Sequence, residues 1–341
     1  MHDVTEQLIS PQRPSLPTIH NEKHPFFDLA YADDTAIMAM SASTTERVLH
    51  LIQSTAQQYN LKLNMGKCEL LRTNATQNVH FLPPPPTPNN PQPVPQPVKN
   101  KLQAKYLGTI ITASTKNPAH KHYVGLMDAD ITARIQKGRS GFKQLHKFWR
   151  HTNISTAWKL KVFNTVFVPM LTYSMESAAL TEKNLHRLDA FQAQCLRKIL
   201  NHKATYYTTV LNPTATTYHN TDIIKEANTT TISQHIQKLQ LKFLGHVLRG
   251  SQDDLHTQIC FTAAWVYRGG LKGDGLRRGL PKQHWLEQST KTAWRYLTDI
   301  AHPQVQYTIG PQPPFSHLTL HRIAGNRQYW RDLTWLPTCI S

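Results

Sequence analysis

Residues 26–40, FFDLAYADDTAIMAM, run apolar, then through the tetrad YADD, then apolar again. Short apolar segments flanking a polar pair predict two strands joined by a tight turn, with Asp33 and Asp34 at the tip. In SASTTERVLHLIQSTAQQYN, Val48, Leu49, Ile52, Ala56 and Tyr59 recur at helical spacing. Ser43 with Glu46 predicts a capping box at the start of that helix. KLNMGKCELLRT reads as a short strand around a turn. Strand–turn–strand, amphipathic helix and strand make half of a small α+β sheet.

Residues 83–97 hold nine of the 22 prolines. Proline lacks the amide donor a sheet needs, so this stretch predicts polyproline II or an irregular loop. An inserted surface loop between two strands is preferred over an SH3 or WW ligand, because the match to such ligands is compositional only. KYLGTIIT (105–112) returns to strand character, as a loop interrupting a hairpin would require.

From about Tyr123 the period is helical. Ile131, Ile135, Phe142, Leu145 and Phe148 form one stripe, surrounded by Lys137, Arg139, Lys143, Lys147 and Arg150. A second helix after Ser155 carries Trp158, Val162, Phe163, Val166, Phe167 and Met170, with a kink expected at Pro169. A third begins at Thr181 with Leu185, Leu188, Phe191, Cys195 and Ile199. A fourth carries Ile232, Ile236, Leu239, Phe243 and Val247 and ends at Gly250, read as its C-cap. Short connections favour antiparallel packing into a basic bundle, with the apolar stripes as core. Beyond it, GGLKGDGLRRGLPKQHW reads as a loop, and WLEQSTKTAWRYL and LHRIAGNRQYWRDLTWL as two short helices.

Composition narrows the partner. Thirty-eight Lys and Arg against 21 Asp and Glu give a formal net charge of +17 over 341 residues, with 19 histidines besides. This balance excludes an acidic, halophile-like surface and points to a polyanion, first of all nucleic acid. The four cysteines are far apart, so neither a zinc-ligand spacing nor a disulfide framework is present, and no disulfide partner is expected. No apolar run is long enough for a membrane span and the first residues lack a signal-peptide pattern. A reducing compartment, cytoplasmic and/or nuclear, is the expectation.

One motif carries chemistry. Adjacent carboxylates repel, and between apolar strands they are costly unless a cation or hydrogen-bond donors neutralise them. Mg2+ prefers carboxylate and phosphate oxygens, and two such ions can activate a primer 3′-hydroxyl and stabilise the leaving pyrophosphate. Asp253 and Asp254 supply an internal comparison: in GSQDDLH they lack apolar flanks and read as solvent-facing.

LAYADD resembles the hairpin of reverse transcriptases, and the segments C-terminal to it resemble the non-LTR (LINE-type) retrotransposon enzymes. LNMGKCE (63–69) is similar to a palm segment with an Asn-x-x-Lys-Thr-type pattern, in which Lys67 takes the lysine position and Cys68 replaces the usual threonine. KYLGTIIT resembles the hairpin that grips the primer, and residues 123–200 resemble the helical thumb. KFLGHVLR (242–249), RRGLPKQHW (277–285) and NRQYWRDL (326–333) resemble, in order, the region beyond it.

The resemblance implies an α+β fold: a leader over 1–24, a partial palm of antiparallel hairpins plus helix over 25–115, a helical thumb-like bundle over 120–250, and a basic C-terminal region over 251–341. It implies an RNA template and a DNA primer as partners, and Mg2+, with Mn2+ as the alternative, held by Asp33 and Asp34. Tyr31 would pack beneath the ions, and Lys67 would neutralise or protonate the departing pyrophosphate; a solvated turn lysine is the equal alternative. Lys137, Arg139, Lys143, Lys147, Arg150, Arg277 and Arg278 would contact phosphates without reading sequence.

The departures are a missing first catalytic aspartate, missing fingers and the absence of an endonuclease portion. They lead to the expectation of a C-terminal fragment that is inactive alone, whether a decayed copy, a truncated gene model or a separately expressed piece. A non-catalytic nucleic-acid-binding protein and a pseudogene product are the other readings, with a metal-dependent nuclease as a remote fourth.

Overall fold

The computed structural model describes residues 28–39, 41–72, 77–83, 86, 94–113, 127–202, 218–261, 285–297 and 317–335. The chain divides into two compact units, Met1–Leu126 and Met127–Ser341.

In the first unit β1 (Asp28–Tyr31) and β2 (Asp34–Ile37) form an antiparallel hairpin in which Leu29 faces Ala36 and Tyr31 faces Asp34. The helix Ala42–Gln58 follows. Its N-cap is Ser41, whose hydroxyl accepts from the Thr44 amide at 3.1 Å, so the expected Ser43–Glu46 capping box does not form. Glu46 turns outward from its helix instead. Its carboxylate accepts from the His80 amide at 2.7 Å and lies 2.9 Å from His80 Nδ1. Val48 and Leu49 are buried, Leu49 against Val79 and Phe81.

A single 3-10 turn, Met65–Lys67, leads into β3 (Glu69–Leu71), which pairs in parallel with β4 (Lys99–Lys101). Both flanks of the proline-rich stretch are joined: His80 bridges Pro97 in antiparallel sense, and the Phe81 amide donates to Gln96 at 2.9 Å. Most of 83–97 lies outside the described residues. β5 (Gln103–Tyr106) and β6 (Thr109–Thr112) form a second hairpin. The expected half-sheet is therefore three separate two-stranded sheets among the described residues.

The second unit is helical, with two cores. Asp128–Gln144 and His146–Arg150 are separated by a break at Leu145, which is 39% exposed; Trp149 is buried in its stead, and its indole donates to the Phe142 carbonyl at 2.9 Å. The segment 123–126 lies outside the described residues.

Ser155 caps Thr156–Val162, as its position before the helix demands. The chain then widens into a π turn, Phe163–Phe167, before Val168–Thr172. The expected kink at Pro169 takes this form because proline cannot donate and its ring crowds the carbonyl one turn earlier. Phe163 and Phe167 stack at 5.5 Å, whereas Trp158 and Val166, expected in the stripe, are each 52% exposed. Glu182–Ile199 starts at its Thr181 cap and buries Leu188, Phe191, Cys195 and Ile199.

Ile232–Arg249 connects the two cores. Thr231 and Gln234 form a capping box, and the buried Gln192 accepts from the Ile232 amide at 2.9 Å. Ile232 and Ile236 belong to the first core; Leu241, Leu244, Val247 and Leu248 belong to the second, with Phe261, Leu286, Leu320 and Trp330. Gly250 ends the helix in extended conformation (φ −60°), so it is not the left-handed cap its position suggests. Asn220–Glu226 and Leu255–Cys260 are short helices the periodicity does not mark. Trp285–Arg295 is as expected, but 317–335 forms two helices, His317–Gly325 and Arg327–Trp335, broken at Asn326.

Candidate functional site

The tip of the first hairpin is fixed by a two-residue connection. Tyr31 and Asp34 form the last rung, so Ala32 and Asp33 turn the chain. Ala32 has φ 52°, in the left-handed region that favours glycine. Holding an alanine there costs about 1–2 kcal/mol. Asp33 and Asp34 are consecutive and both exposed, with Asp34 already on β2. Tyr31, opposite Asp34, is 66% exposed, so its ring stands at the surface.

The second hairpin supports the first. The Tyr106 hydroxyl donates to the Leu29 carbonyl at 3.1 Å, two residues from Tyr31. Tyr106 sits at the end of β5, before a turn in which Leu107 and Gly108 both have positive φ (45° and 86°). This is the turn whose twist matches paired strands. KYLGTIIT thus meets LAYADD through a contact between residues 77 apart, for which the sequence carries no signal.

Lys67 is exposed on the 3-10 turn, its amide donating to Asn64 at 3.0 Å. Among the described residues no ion pair joins it to Asp33 or Asp34. Beside it, the Cys68 thiol donates to the Asn64 carbonyl at 3.4 Å, and burial raises its pKa. Two carboxylates on neighbouring residues are the hard oxygen donors Mg2+ takes alongside water and phosphate oxygens, so the tip suits part of such a ligand set. Among the described residues no cluster of three or more His, Cys, Asp or Glu side chains could hold a metal. Asp253 and Asp254 are exposed, and Asp254 accepts from the Ser251 amide at 2.8 Å, as a local turn residue does.

In the second unit Lys137, Arg139, Lys143, Lys147 and Arg150 are all exposed. At 100° per residue the exposed arc of Asp128–Gln144 spans about 160°, with Arg139 and Lys143 at one edge and Lys137 at the other. Arg134 lies on the opposite, buried side. It pairs with the buried Asp130 at 2.5 Å and donates to the Met170 carbonyl, so it holds helices together. Arg277 and Arg278 lie outside the described residues. No helix among the described residues is long and apolar enough to cross a membrane.

No curated protein and no solved structure matches the chain. Residues 7–111 match the family model of the reverse transcriptase (RNA-dependent DNA polymerase). The matched stretch takes in both hairpins, the helix between them and the Lys67 turn, and over those residues the chain is similar to that family.

Proposed function

We propose that the chain acts as part of an RNA-directed DNA polymerase of the non-LTR (LINE-type) retrotransposon kind, extending a DNA primer on an RNA template. The observation that carries this reading is the Asp33–Asp34 pair at a hairpin tip, within the stretch similar to the family and braced by Tyr106. Residues 25–115 act as part of the palm and 120–250 as the thumb.

In this reading Asp33 and Asp34 would hold Mg2+, or Mn2+. The ion supplies charge neutralisation and a more acidic primer hydroxyl. The strained Ala32 fixes where the carboxylates stand relative to the strands. Lys67 offsets charge on the departing pyrophosphate, and Lys137, Arg139, Lys143, Lys147, Arg150, Arg277 and Arg278 engage phosphates of the duplex.

The test is primer extension with an RNA template, a DNA primer and deoxynucleotides. It is run on this chain and on the protein the native transcript encodes. Mg2+-dependent extension by either form, lost on Asp33→Asn, is expected. Extension by neither, or extension indifferent to Asp33→Asn, overturns the reading.

A further inference from the structure

The helix Ile232–Arg249 contains no Asp or Glu in its 18 residues, and its basic side chains are not scattered. Taking His235 as the origin at 100° per residue, Lys238, Lys242, His246 and Arg249 fall within an arc of about 80° and extend about 21 Å along the axis. The rest of the circumference is taken. Ile232, Ile236, Gln240, Leu244 and Val247 face the two cores, and Gly245 packs against the Trp330 indole. The basic stripe is the side of the helix left to solvent, with Lys242 and His246 exposed and the others partly buried.

Among the described residues no carboxylate pairs with Lys238, Lys242 or Arg249; Arg249 donates to the Ala324 carbonyl at 3.3 Å. Like charges crowd here, since Lys238 helps to lower the His235 pKa behind burial, and Arg327 does the same to Arg249. Three cations, Lys238, Lys242 and Arg249, lie along one side of the helix with no carboxylate paired to them among the described residues, and a polyanion would relieve their mutual repulsion.

One edge of the stripe is aromatic. Phe243 lies 6.4 Å from the His246 ring, 6.1 Å from His256 and 5.2 Å from Trp285, ring centre to ring centre. His256 is exposed, while Phe243 and Trp285 are partly buried where they pack at the border of the second core. Cations tracking a backbone, with flat rings beside them, are the two components that hold single-stranded nucleic acid irrespective of sequence.

We infer that the Ile232–Arg249 helix is a docking surface for single-stranded nucleic acid, with Lys238, Lys242, His246 and Arg249 on the phosphates and the Phe243–Trp285–His256 group against the bases. The site is built from residues of the second unit alone and does not depend on the proposed polymerase role.

The experiment is fluorescence anisotropy of the full chain with a labelled 20-nucleotide oligouridylate and with a duplex of equal length, over a salt series. The double variant Lys238→Gln/Lys242→Gln is expected to bind the single strand at least tenfold more weakly and to lower the log–log salt slope by about 1.4, at about 0.7 per phosphate contact. Phe243→Leu, which keeps the apolar bulk, is expected to weaken single-strand binding three- to tenfold and to spare duplex binding. Lys161→Gln/Lys183→Gln, an equal loss of charge elsewhere on the unit, is expected to change affinity less than twofold.

Asp33→Asn is expected to leave all of this binding intact, so failure of the polymerase reading would not count against the site. Equal losses in the two lysine pairs would reduce the surface to bulk charge and overturn the inference, as would indifference of single-strand binding to Phe243→Leu.

Discussion

Gly245→Ala tests how the second core is built. Residue 245 lies inside an 18-residue helix, one turn from its end, where alanine is favoured over glycine by about 1 kcal/mol on propensity alone. The structure reverses the sign. A Cβ at this position would meet the Trp330 indole well inside contact distance at three of its atoms. Trp330 is 4% exposed, and its Nε1 donates to the Leu241 carbonyl at 2.9 Å, so the ring cannot slide without giving up that bond. Overpacking costs about 1–3 kcal/mol. A buried donor left without its acceptor costs about 1–3 kcal/mol more.

After subtraction of the propensity gain, a destabilisation of about 1–5 kcal/mol remains. Since each kcal/mol moves Tm by about 2–4 °C in a unit of this size, a fall of roughly 2–20 °C is expected in a far-UV circular dichroism melt. Trp330→Leu in the same background should recover part of the loss, because the smaller side chain makes room for the methyl. A Gly245→Ala protein that melts at or above the parent temperature would refute the close packing of these two helices.

Two further outcomes rest on buried and paired groups. Burial pushes the Cys195 thiol up to about 12 and Cys260 up to about 11, with Lys198 and Arg139 only partly offsetting it at Cys195. At pH 8 both buried thiols stay protonated, so iodoacetamide should label Cys195 and Cys260 only after unfolding, while the half-buried Cys68 reacts first of these three; rapid native labelling of Cys195 would contradict its place in the core. Partial burial acts to raise the Glu46 pKa, but the amide and imidazole of His80 outweigh it and hold the carboxyl below its usual 4.5. Its contribution to stability is therefore present above about pH 4.5 and fades as pH falls through the lower folded value. Amide exchange at His80 should accelerate in that acid window, and Glu46→Gln should flatten the dependence; an unchanged pH profile would discount the contact.

The elements with a strong local signal were legible from the chain. The apolar runs on either side of YADD gave the hairpin, Thr181 and Ser155 marked their helix starts, and the 3.6-residue period picked out Leu188, Phe191, Ile232 and Ile236 as core. What escaped depends on partners distant in sequence. Glu46 has the spacing of a capping box, yet a histidine 34 residues on competes for its carboxylate and wins two hydrogen bonds.

The stripe through Trp158 and Val166 assumed a uniform helix, and the π turn before Pro169 rotates those two residues outward. Gly245 reads as a weak point by propensity, and its reason lies 85 residues away at Trp330. At the candidate site the carboxylate pair was visible as a motif, whereas the Tyr106–Leu29 brace and the strained φ of Ala32 belong to the folded chain alone.

The measurement closest to the central proposal is the rate of single-nucleotide addition to a DNA primer on an RNA template, in Mg2+, by the protein the native transcript encodes. Asp33→Asn and Asp253→Asn are compared as two equal losses of charge. Asp33→Asn should lower the rate by at least about 100-fold, the scale for losing a group that stabilises transition-state charge, and Asp253→Asn should leave it within twofold. Equal rates for the two variants, or no addition by the parent protein, would contradict the assignment of the hairpin tip.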